Sequence, residues 1–182
     1  PSMAGRTVPG EPFDIVVLGG TGDLARRRLL PALYQRFRAG QAPEGSRVIA
    51  AGRSPLDPDG YRKLATAALK EFVAPADIEA DAMAGFAAML DYVEIDANGE
   101  TGWQTLADRL KGSERTRAFY LSVAPALFGP IAERIVSSGC QTPRTRLVVE
   151  TPLGPDRDSA RDATRQLAAM RAELATSGKD AS

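Results

Sequence analysis

The spacing of apolar residues changes sharply near the start of the chain. An unbroken apolar run at residues 15–18 is followed by Gly19-Gly20-Thr21-Gly22. Beyond this turn the apolar residues recur at the i, i+3, i+4, i+7 spacing of one helix face: Leu30, Leu33, Tyr34 and Phe37. The pattern predicts a buried strand, a glycine turn and an amphipathic helix. Pro31 lies within the helical pattern and predicts a kink or a fresh helix start.

The same alternation of short apolar runs and helical patterns continues along the chain. Four further runs predict strands over residues 47–52, 92–96, 117–123 and 146–150, and helical patterns separate them. Strands this apolar are typical of a parallel sheet that helices cover on both faces. We therefore predict an α/β fold, a single-domain Rossmann-type doubly wound parallel sheet with strand order 3-2-1-4-5. Its ligands would lie at the carboxyl ends of strands 1 and 4.

Local signals mark several helix ends. Asp57 before Pro58 predicts an N-cap with proline in the first turn. Pro75 predicts the start of a helix that reaches Met89, and Thr101-Gly102-Trp103-Gln104 predicts a capping box. Pro130 predicts a distortion in the helix that ends at Gly139, and a last helical pattern leads to Leu174. We expect residues 1–12 to be a flexible leader, residues 13–176 the folded domain and residues 177–182 a polar tail.

Composition narrows the possible functions. Lys plus Arg and Asp plus Glu both number 23, so no overall basic field suggests nucleic acid or an anionic membrane as a partner. No apolar run approaches the roughly 20 residues of a membrane span. Cys140 is the single cysteine, so an internal disulfide is excluded and a cytoplasmic location fits the composition. We interpret Cys140 as an incidental thiol in a loop. Histidine is absent, and no Cys/His cluster predicts a metal site.

The glycine turn carries the first candidate chemistry. Residues 20–25 satisfy G-x-G-x-x-G/A between a predicted strand and a predicted helix. Glycine lets backbone N–H groups approach a pyrophosphate closely, and a helix N-terminus adds unpaired donors and partial positive charge. An ordinary glycine loop is the alternative, but the strand–turn–helix context favours dinucleotide binding.

The end of the second predicted strand indicates which dinucleotide is bound. NAD-preferring folds place an acidic residue there, which accepts hydrogen bonds from the ribose 2′-hydroxyl. This chain has Gly52-Arg53-Ser54, so an arginine stands where that acid would be. A guanidinium suits a 2′-phosphate, which favours NADP. A solvated surface arginine is the other interpretation of Arg53.

Four motifs, in order along the chain, resemble the glucose-6-phosphate 1-dehydrogenase family. Residues 19–29, GGTGDLARRRL, resemble its G-[AG]-[ST]-G-D-L-[AT] opening with the basic residues that follow. Gly52-Arg53-Ser54 resembles the family's strand end, and residues 119–125, FYLSVAP, resemble F-Y-L-A-x-P-P. Residues 148–154, VVETPLG, resemble I-V-E-K-P-F-G. The resemblance covers nearly the whole chain but only the N-terminal coenzyme domain of that family.

The resemblance implies an NADP-binding domain of an enzyme that oxidises glucose 6-phosphate to 6-phosphogluconolactone in the pentose phosphate pathway. Arg53 would meet the 2′-phosphate with help from Ser54 and Arg28, and Asp96-Ala97 and Ala124-Pro125 would flank the adenosine and nicotinamide. The full set of implied cofactor-binding residues is Gly19, Gly20, Thr21, Gly22, Asp23, Leu24, Arg28, Arg53, Ser54, Asp96, Ala97, Ala124, Pro125 and Thr151. No catalytic residue is assigned.

Departures from the family pattern limit the expected activity. Thr151 replaces a lysine that in the family contacts coenzyme and substrate, and Ala124 replaces the first proline of a pair. The family's substrate domain, with its R-I-D-H-Y-L-G segment and base histidine, does not follow the last predicted helix. We therefore expect NADP(H) as partner, glucose 6-phosphate only if that domain were present, and no turnover by this chain alone. The oligomeric state is left open.

Two other functions were weighed. A non-catalytic paralogue that binds a dinucleotide or a partner protein would fit Thr151 and the absence of histidine. An extended short-chain dehydrogenase also opens with G-G-T-G, but it needs a Tyr-x-x-x-Lys pair. None of the four tyrosines has a lysine four residues later: Tyr34, Tyr61, Tyr92 and Tyr120.

Overall fold

Five parallel strands form one sheet at the centre of the computed structural model, which describes residues 11–149, 165, 168–172 and 174–175. The strand order is β3-β2-β1-β4-β5, as predicted. The strands are β1 (Asp14–Leu18), β2 (Arg47–Gly52), β3 (Leu90–Glu94), β4 (Arg117–Leu121) and β5 (Thr145–Val149). This arrangement confirms the predicted Rossmann-type doubly wound sheet.

Helices follow the strands on both faces of the sheet. They are α1 (Leu30–Arg38), α2 (Pro58–Phe72), α3 (Ala80–Met89), α4 (Trp103–Leu110) and α5 (Phe128–Ser137). Short 3₁₀ turns at Pro75–Asp77 and Pro125–Leu127 precede α3 and α5. In the described part of the chain, no helix combines the length and the apolar character that a membrane crossing requires.

β1, β2 and β4 start and end in register with one another, so the loops that follow them emerge along one edge of the sheet. Asp14 at the start of β1 lies opposite Arg47 of β2 and Arg117 of β4. Four residues later, Leu18 lies opposite Ala51 and Leu121. The loops that leave β1, β2 and β4 therefore start at the same height and can contact one ligand.

Alternating side chains of the strands build two cores, one on each face. Val16, Leu18 and Phe119 pack towards α4, α5 and Met170. Val17 and Ala50 point to the opposite face and pack with α1, α2 and α3. Because successive side chains of a strand point to opposite faces, one unbroken apolar run supplies both cores.

A buried carboxylate joins the strands at the amino-terminal edge, opposite the loops described above. Arg47 donates from Nε to Asp14 Oδ1 (2.9 Å) and from Nη2 to Asp14 Oδ2 (3.1 Å). Ser113 Oγ also donates to Oδ2 (2.7 Å), and Arg115 Nη1 lies 3.4 Å from Oδ1. Asp14 is wholly buried, so its charge depends on these partners.

Pro31 lies inside a helical stretch that begins at Asp23, so the fresh helix start is wrong and the irregularity takes the form of a π-helical turn. A π-helical turn at Ala25–Leu29 precedes α1, and the Leu30 N–H donates to the Ala25 carbonyl oxygen. Pro31 follows directly after this change from π-helical to α-helical geometry, which is where a residue without an N–H interrupts the regular hydrogen bonds. Pro130 lies in the first turn of α5, which continues without a break, so the predicted distortion is wrong.

The predicted strand boundaries needed correction at three places. β3 begins at Leu90 and ends at Glu94, two residues earlier than the predicted 92–96. Its register with β2, which pairs Val48 with Leu90 and Gly52 with Glu94, sets these limits. β4 ends at Leu121 instead of residue 123, and β5 begins one residue early at Thr145. The predicted last residue of β5, Glu150, lies outside the described residues.

The predicted helix ends were right at Asp57 and wrong at two other places. Asp57 Oδ1 accepts a hydrogen bond from the Gly60 N–H (2.7 Å), as an N-cap does. The capping box is absent, because Gly102 is the N-cap of α4 with φ 85° and no side chain caps that helix. The predicted helix over residues 75–89 is interrupted, because the Tyr34 hydroxyl donates to the Asp77 carbonyl and accepts from the Glu79 N–H.

Candidate functional site

An open cleft lies at the carboxyl ends of the strands, where the level strand ends predict a ligand site. Its volume is about 590 Å³, within the range of small-molecule sites. Loops after β1, β2, β3 and β4 all contribute to its walls. Sixteen of the described residues line it: Leu18, Gly19, Thr21, Gly22, Ala51, Gly52, Arg53, Ser54, Ile95, Asp96, Ala97, Asn98, Ser122, Val123, Ala124 and Leu127.

The loop after β1 requires glycine at its first position. Gly19 has φ 80°, and a Cβ there would overlap the carbonyl oxygen of Ser122. The N–H groups of Gly19 and Gly20 both donate to the Ala51 carbonyl oxygen at 2.9 Å, which fastens the loop to β2. The chain turns helical at Asp23, so this loop leads directly into a helix N-terminus that favours an anion.

Five of the implied cofactor-binding residues do not line the cleft. Gly20 lies behind the loop, where a Cβ would approach the Ala50 side chain to 2.7 Å. Asp23 is exposed and pairs with Arg27 at 2.8 Å, which fits a helix N-terminal residue. Leu24, Arg28 and Pro125 also lie outside the lining, and Arg28 is exposed. The implied residue Thr151 lies outside the described residues.

The strand end after β2 places a free cation at the cleft. Arg53 is exposed, lines the cleft and forms no ion pair or hydrogen bond with any of the described residues. Ser54 Oγ lies 3.4 Å from Thr21 Oγ1 and thereby bridges the loops after β1 and β2. The guanidinium is available for an external anion, because no carboxylate of the described chain neutralises it.

The loops after β3 and β4 form the remaining walls. Asp96 Oδ1 accepts a hydrogen bond from the Asn98 N–H (3.0 Å), and its carbonyl accepts one from Trp103 Nε1 (3.2 Å). The Ser122 N–H donates to the Leu18 carbonyl (2.9 Å), which holds the β4 loop against β1. The two loops are therefore anchored to the core before any ligand binds.

Several cleft residues were missed by the sequence reasoning. Ser122, Val123 and Leu127 line the cleft beside Ala124, and Asn98 follows Ala97. The signal was available for Ser122 and Val123, because they follow β4 directly and a strand ending at Leu121 would have placed them in the loop. No pattern pointed to Leu127, which enters through the 3₁₀ turn before α5.

Two tyrosines behind the cleft were also missed as parts of the site. The Tyr61 hydroxyl donates to the Gly20 carbonyl (2.8 Å), and the Tyr92 hydroxyl donates to the Ser54 carbonyl (2.7 Å). Burial raises the pKa of both phenols, and the nearby Tyr92 and Glu94 raise those of Tyr61 and Tyr92 further. Both hydroxyls therefore remain protonated donors at neutral pH.

Neither a metal centre nor an activated thiol is found in the described part of the chain. No three His, Cys, Asp or Glu residues group there in a way that would hold a metal ion. Cys140 follows α5, as predicted for a loop thiol, but it is fully buried in the core. Burial raises the pKa of its thiol above the usual range, which suits a packing role.

A glycine loop between a central parallel strand and a helix lines the same cleft as Arg53, which follows the neighbouring strand and pairs with none of the described residues. This arrangement defines a dinucleotide-binding Rossmann domain. The family described as glucose-6-phosphate dehydrogenase, NAD binding domain, matches residues 16–176. The chain belongs to this family, and the resemblance stated from its motifs is confirmed.

Relatives and solved structures agree with this assignment. The chain is 48% identical over 159 residues to glucose-6-phosphate 1-dehydrogenase of Rhizobium meliloti, covering 87% of this chain and 32% of the relative. It is 38% identical over 170 residues to that of Mycolicibacterium smegmatis, covering 91% and 34%. The crystal structure of the Mycobacterium avium enzyme superposes with a TM-score of 0.72 at 28% identity, covering 88% of this chain and 34% of that one. The chain thus spans about a third of the length of these relatives.

Proposed function

We propose that this chain binds NADP⁺ as the coenzyme domain of a glucose-6-phosphate 1-dehydrogenase. The observation that carries the proposal is the Arg53 guanidinium, which pairs with none of the described residues and lines the same cleft as the glycine loop. The loop and helix N-terminus suit the pyrophosphate, and Arg53 suits the 2′-phosphate that distinguishes NADP⁺ from NAD⁺.

The cleft residues would divide the coenzyme between them. Thr21 would offer its backbone N–H to the pyrophosphate, and Gly19 and Gly22, whose N–H groups donate to the Ala51 and Gly19 carbonyls, would let the phosphates approach closely because they carry no side chain. Arg53 and Ser54 would hold the 2′-phosphate, and Arg28 would add positive charge from outside the cleft lining. Asp96 and Ala97 would flank the adenosine, and Ala124 with Pro125 would flank the nicotinamide path.

The complete reaction needs groups that this chain does not supply. Oxidation of glucose 6-phosphate at C1 sends hydride to NADP⁺ and requires a base for the hydroxyl proton. Histidine is the usual base near neutral pH, and this chain has none. We propose that the chain binds and orients NADP⁺, and that the remaining two thirds of the enzyme length supplies substrate binding and the base. The enzyme would act in the cytoplasmic pentose phosphate pathway.

Calorimetric titration of the chain with NADP⁺ and NAD⁺ tests this function. A charge-assisted hydrogen bond is worth about 1.5–3 kcal/mol, so NADP⁺ should bind roughly 10- to 100-fold more tightly than NAD⁺. If neither coenzyme binds, the proposed function is wrong. If only NAD⁺ binds, the dinucleotide site is right and the assignment of Arg53 is wrong.

A further inference from the structure

Two stacked tyrosines lie directly behind the two loops that form the proposed coenzyme site. Tyr61 of α2 and Tyr92 of β3 stack with ring centroids 5.1 Å apart and an interplanar angle of 16°. One hydroxyl donates to Gly20 in the loop after β1, and the other donates to Ser54 in the loop after β2. One rigid pair of rings is therefore hydrogen-bonded to both walls of the cleft.

Each tyrosine hydroxyl also approaches a glycine, Gly20 in the loop after β1 and Gly52 at the end of β2. A Cβ on Gly20 would lie 3.3 Å from the Tyr61 hydroxyl oxygen, besides contacting Ala50. A Cβ on Gly52 would lie 3.2 Å from the Tyr92 hydroxyl oxygen and 3.1 Å from Thr21 Oγ1. Both separations are tighter than ordinary carbon contacts, so a Cβ at either glycine would displace the tyrosine hydroxyl slightly from its present position.

A buried tyrosine needs a hydrogen-bond partner wherever it lies, so the bonds alone do not indicate a role in the site. Tyr34 illustrates this point, because its buried hydroxyl bonds to Asp77 and Glu79 at the break before α3. Tyr61 and Tyr92 differ in what they hold. Gly20 stands between two cleft-lining residues, Gly19 and Thr21, and Ser54 lines the cleft beside Arg53.

We propose that Tyr61 and Tyr92 are positioning residues that fix the separation between the glycine loop and the Arg53–Ser54 strand end, and that Tyr92 thereby sets the preference for a 2′-phosphate. The inference rests on the proposed NADP⁺ site. The pyrophosphate and the 2′-phosphate belong to one ligand, so both walls must be correctly spaced for both contacts to form together. A loop that is already held in its binding position loses less conformational entropy when the coenzyme binds.

Tyr92→Phe and Tyr61→Phe separate the two halves of this proposal, because each keeps the ring stack and removes one hydroxyl. In calorimetric titrations of the full chain, Tyr92→Phe should weaken NADP⁺ binding by about tenfold, the value of one hydrogen bond, and NAD⁺ binding by less than about twofold. Tyr61→Phe should weaken both coenzymes by a similar factor, because both carry the pyrophosphate.

Tyr34→Phe is the matched control, since it removes a buried tyrosine hydroxyl remote from the cleft. It should lower the stability of the chain and leave the ratio of NADP⁺ to NAD⁺ affinity unchanged. Hydrogen–deuterium exchange of the segment over residues 50–56, without coenzyme, gives a second readout. Exchange there should accelerate in Tyr92→Phe and not in Tyr34→Phe.

Two results would overturn the inference while leaving the proposed function intact. In the first, the wild-type chain prefers NADP⁺ and the Tyr92→Phe variant keeps the same preference. In the second, the amides of residues 50–56 exchange at the same rate in Tyr92→Phe and Tyr34→Phe. Wild-type chain that binds neither coenzyme would refute the proposed function itself, and the inference with it.

Discussion

Asp14→Asn converts a wholly buried carboxylate at the amino end of β1 into a neutral amide of nearly the same shape. The carboxylate accepts two hydrogen bonds from Arg47 and one from Ser113. The positively charged Arg115 guanidinium lies 3.4 Å from the same carboxylate. The change leaves both arginines without their counter-charge. It should therefore destabilise the link between β1, β2 and the segment before β4.

The magnitude follows from the exposure of the partners. Removing one partner of a buried ion pair costs about 3–5 kcal/mol, because the other charge stays buried and unpaired. The Arg47 and Arg115 side chains are 36% and 31% exposed, so water can partly solvate them once Asp14 is gone. We therefore expect a loss of about 3 kcal/mol, the lower end of that range, against a total stability of about 5–15 kcal/mol.

The effect should depend on pH in a defined direction. Burial by itself raises the pKa of Asp14, but the hydrogen bonds from Arg47 and Ser113 and the charges of Arg47 and Arg115 outweigh it and hold the pKa below its usual value. A carboxyl group with a lowered folded-state pKa stabilises the fold above its unfolded-state pKa, and this contribution is lost as pH falls through the folded value. The difference between wild type and Asp14→Asn should thus be constant from pH 7 to about 5 and shrink below about pH 4.

Urea unfolding followed by circular dichroism measures this difference at each pH. Glu100→Gln is the matched control, because it also converts an acid to its amide within an ion pair, with Arg134 at 3.4 Å. The Glu100 side chain is 87% exposed, so this variant should lose less than about 1 kcal/mol. An Asp14→Asn variant within 1 kcal/mol of wild type at pH 7, or a difference that does not shrink in acid, would refute the reasoning.

Two further predictions concern the glycine loop and the buried thiol. Gly19→Ala should abolish measurable coenzyme binding and lower the free energy of unfolding by more than about 2 kcal/mol, because a positive φ is combined with overlap of the new Cβ with the Ser122 carbonyl. Gly112→Ala is the control: Gly112 has φ 82° but no neighbour near the added Cβ, so the loss should be only about 1 kcal/mol. Urea unfolding measures the stability of both variants, and equal losses would contradict the steric argument. Cys140 should react with a thiol reagent only in unfolded chains, so fast labelling of native protein would contradict its burial.

The features that the sequence predicted correctly are those that neighbouring residues determine. The apolar run before Gly19 has the length and composition of a buried strand, and the helical spacing after it admits few other structures. The repeated alternation then implies a parallel sheet, and the glycine loop implies the place of the site. The position of Arg53 after β2 and in the cleft lining follows in the same way, while its contact with a 2′-phosphate stays a prediction.

The features that sequence reasoning missed depend on partners distant in the chain. The limits of β3 follow from its pairing with β2, about 40 residues earlier, and the apolar pattern at 92–96 contains no information about that register. Tyr61 and Tyr92 reach carbonyl groups 41 and 38 residues earlier in the chain. Backbone carbonyls carry no sequence signature, so these two contacts required the structure.

Coenzyme titration of Arg53→Ala beside wild type tests the central claim most directly. Arg53 forms no ion pair or hydrogen bond with the described residues, so its removal should leave stability and NAD⁺ affinity nearly unchanged. Loss of a charge-assisted contact should weaken NADP⁺ binding about 10- to 100-fold and bring the two coenzymes to nearly equal affinity. An Arg53→Ala chain that still prefers NADP⁺ as strongly as wild type would contradict the account.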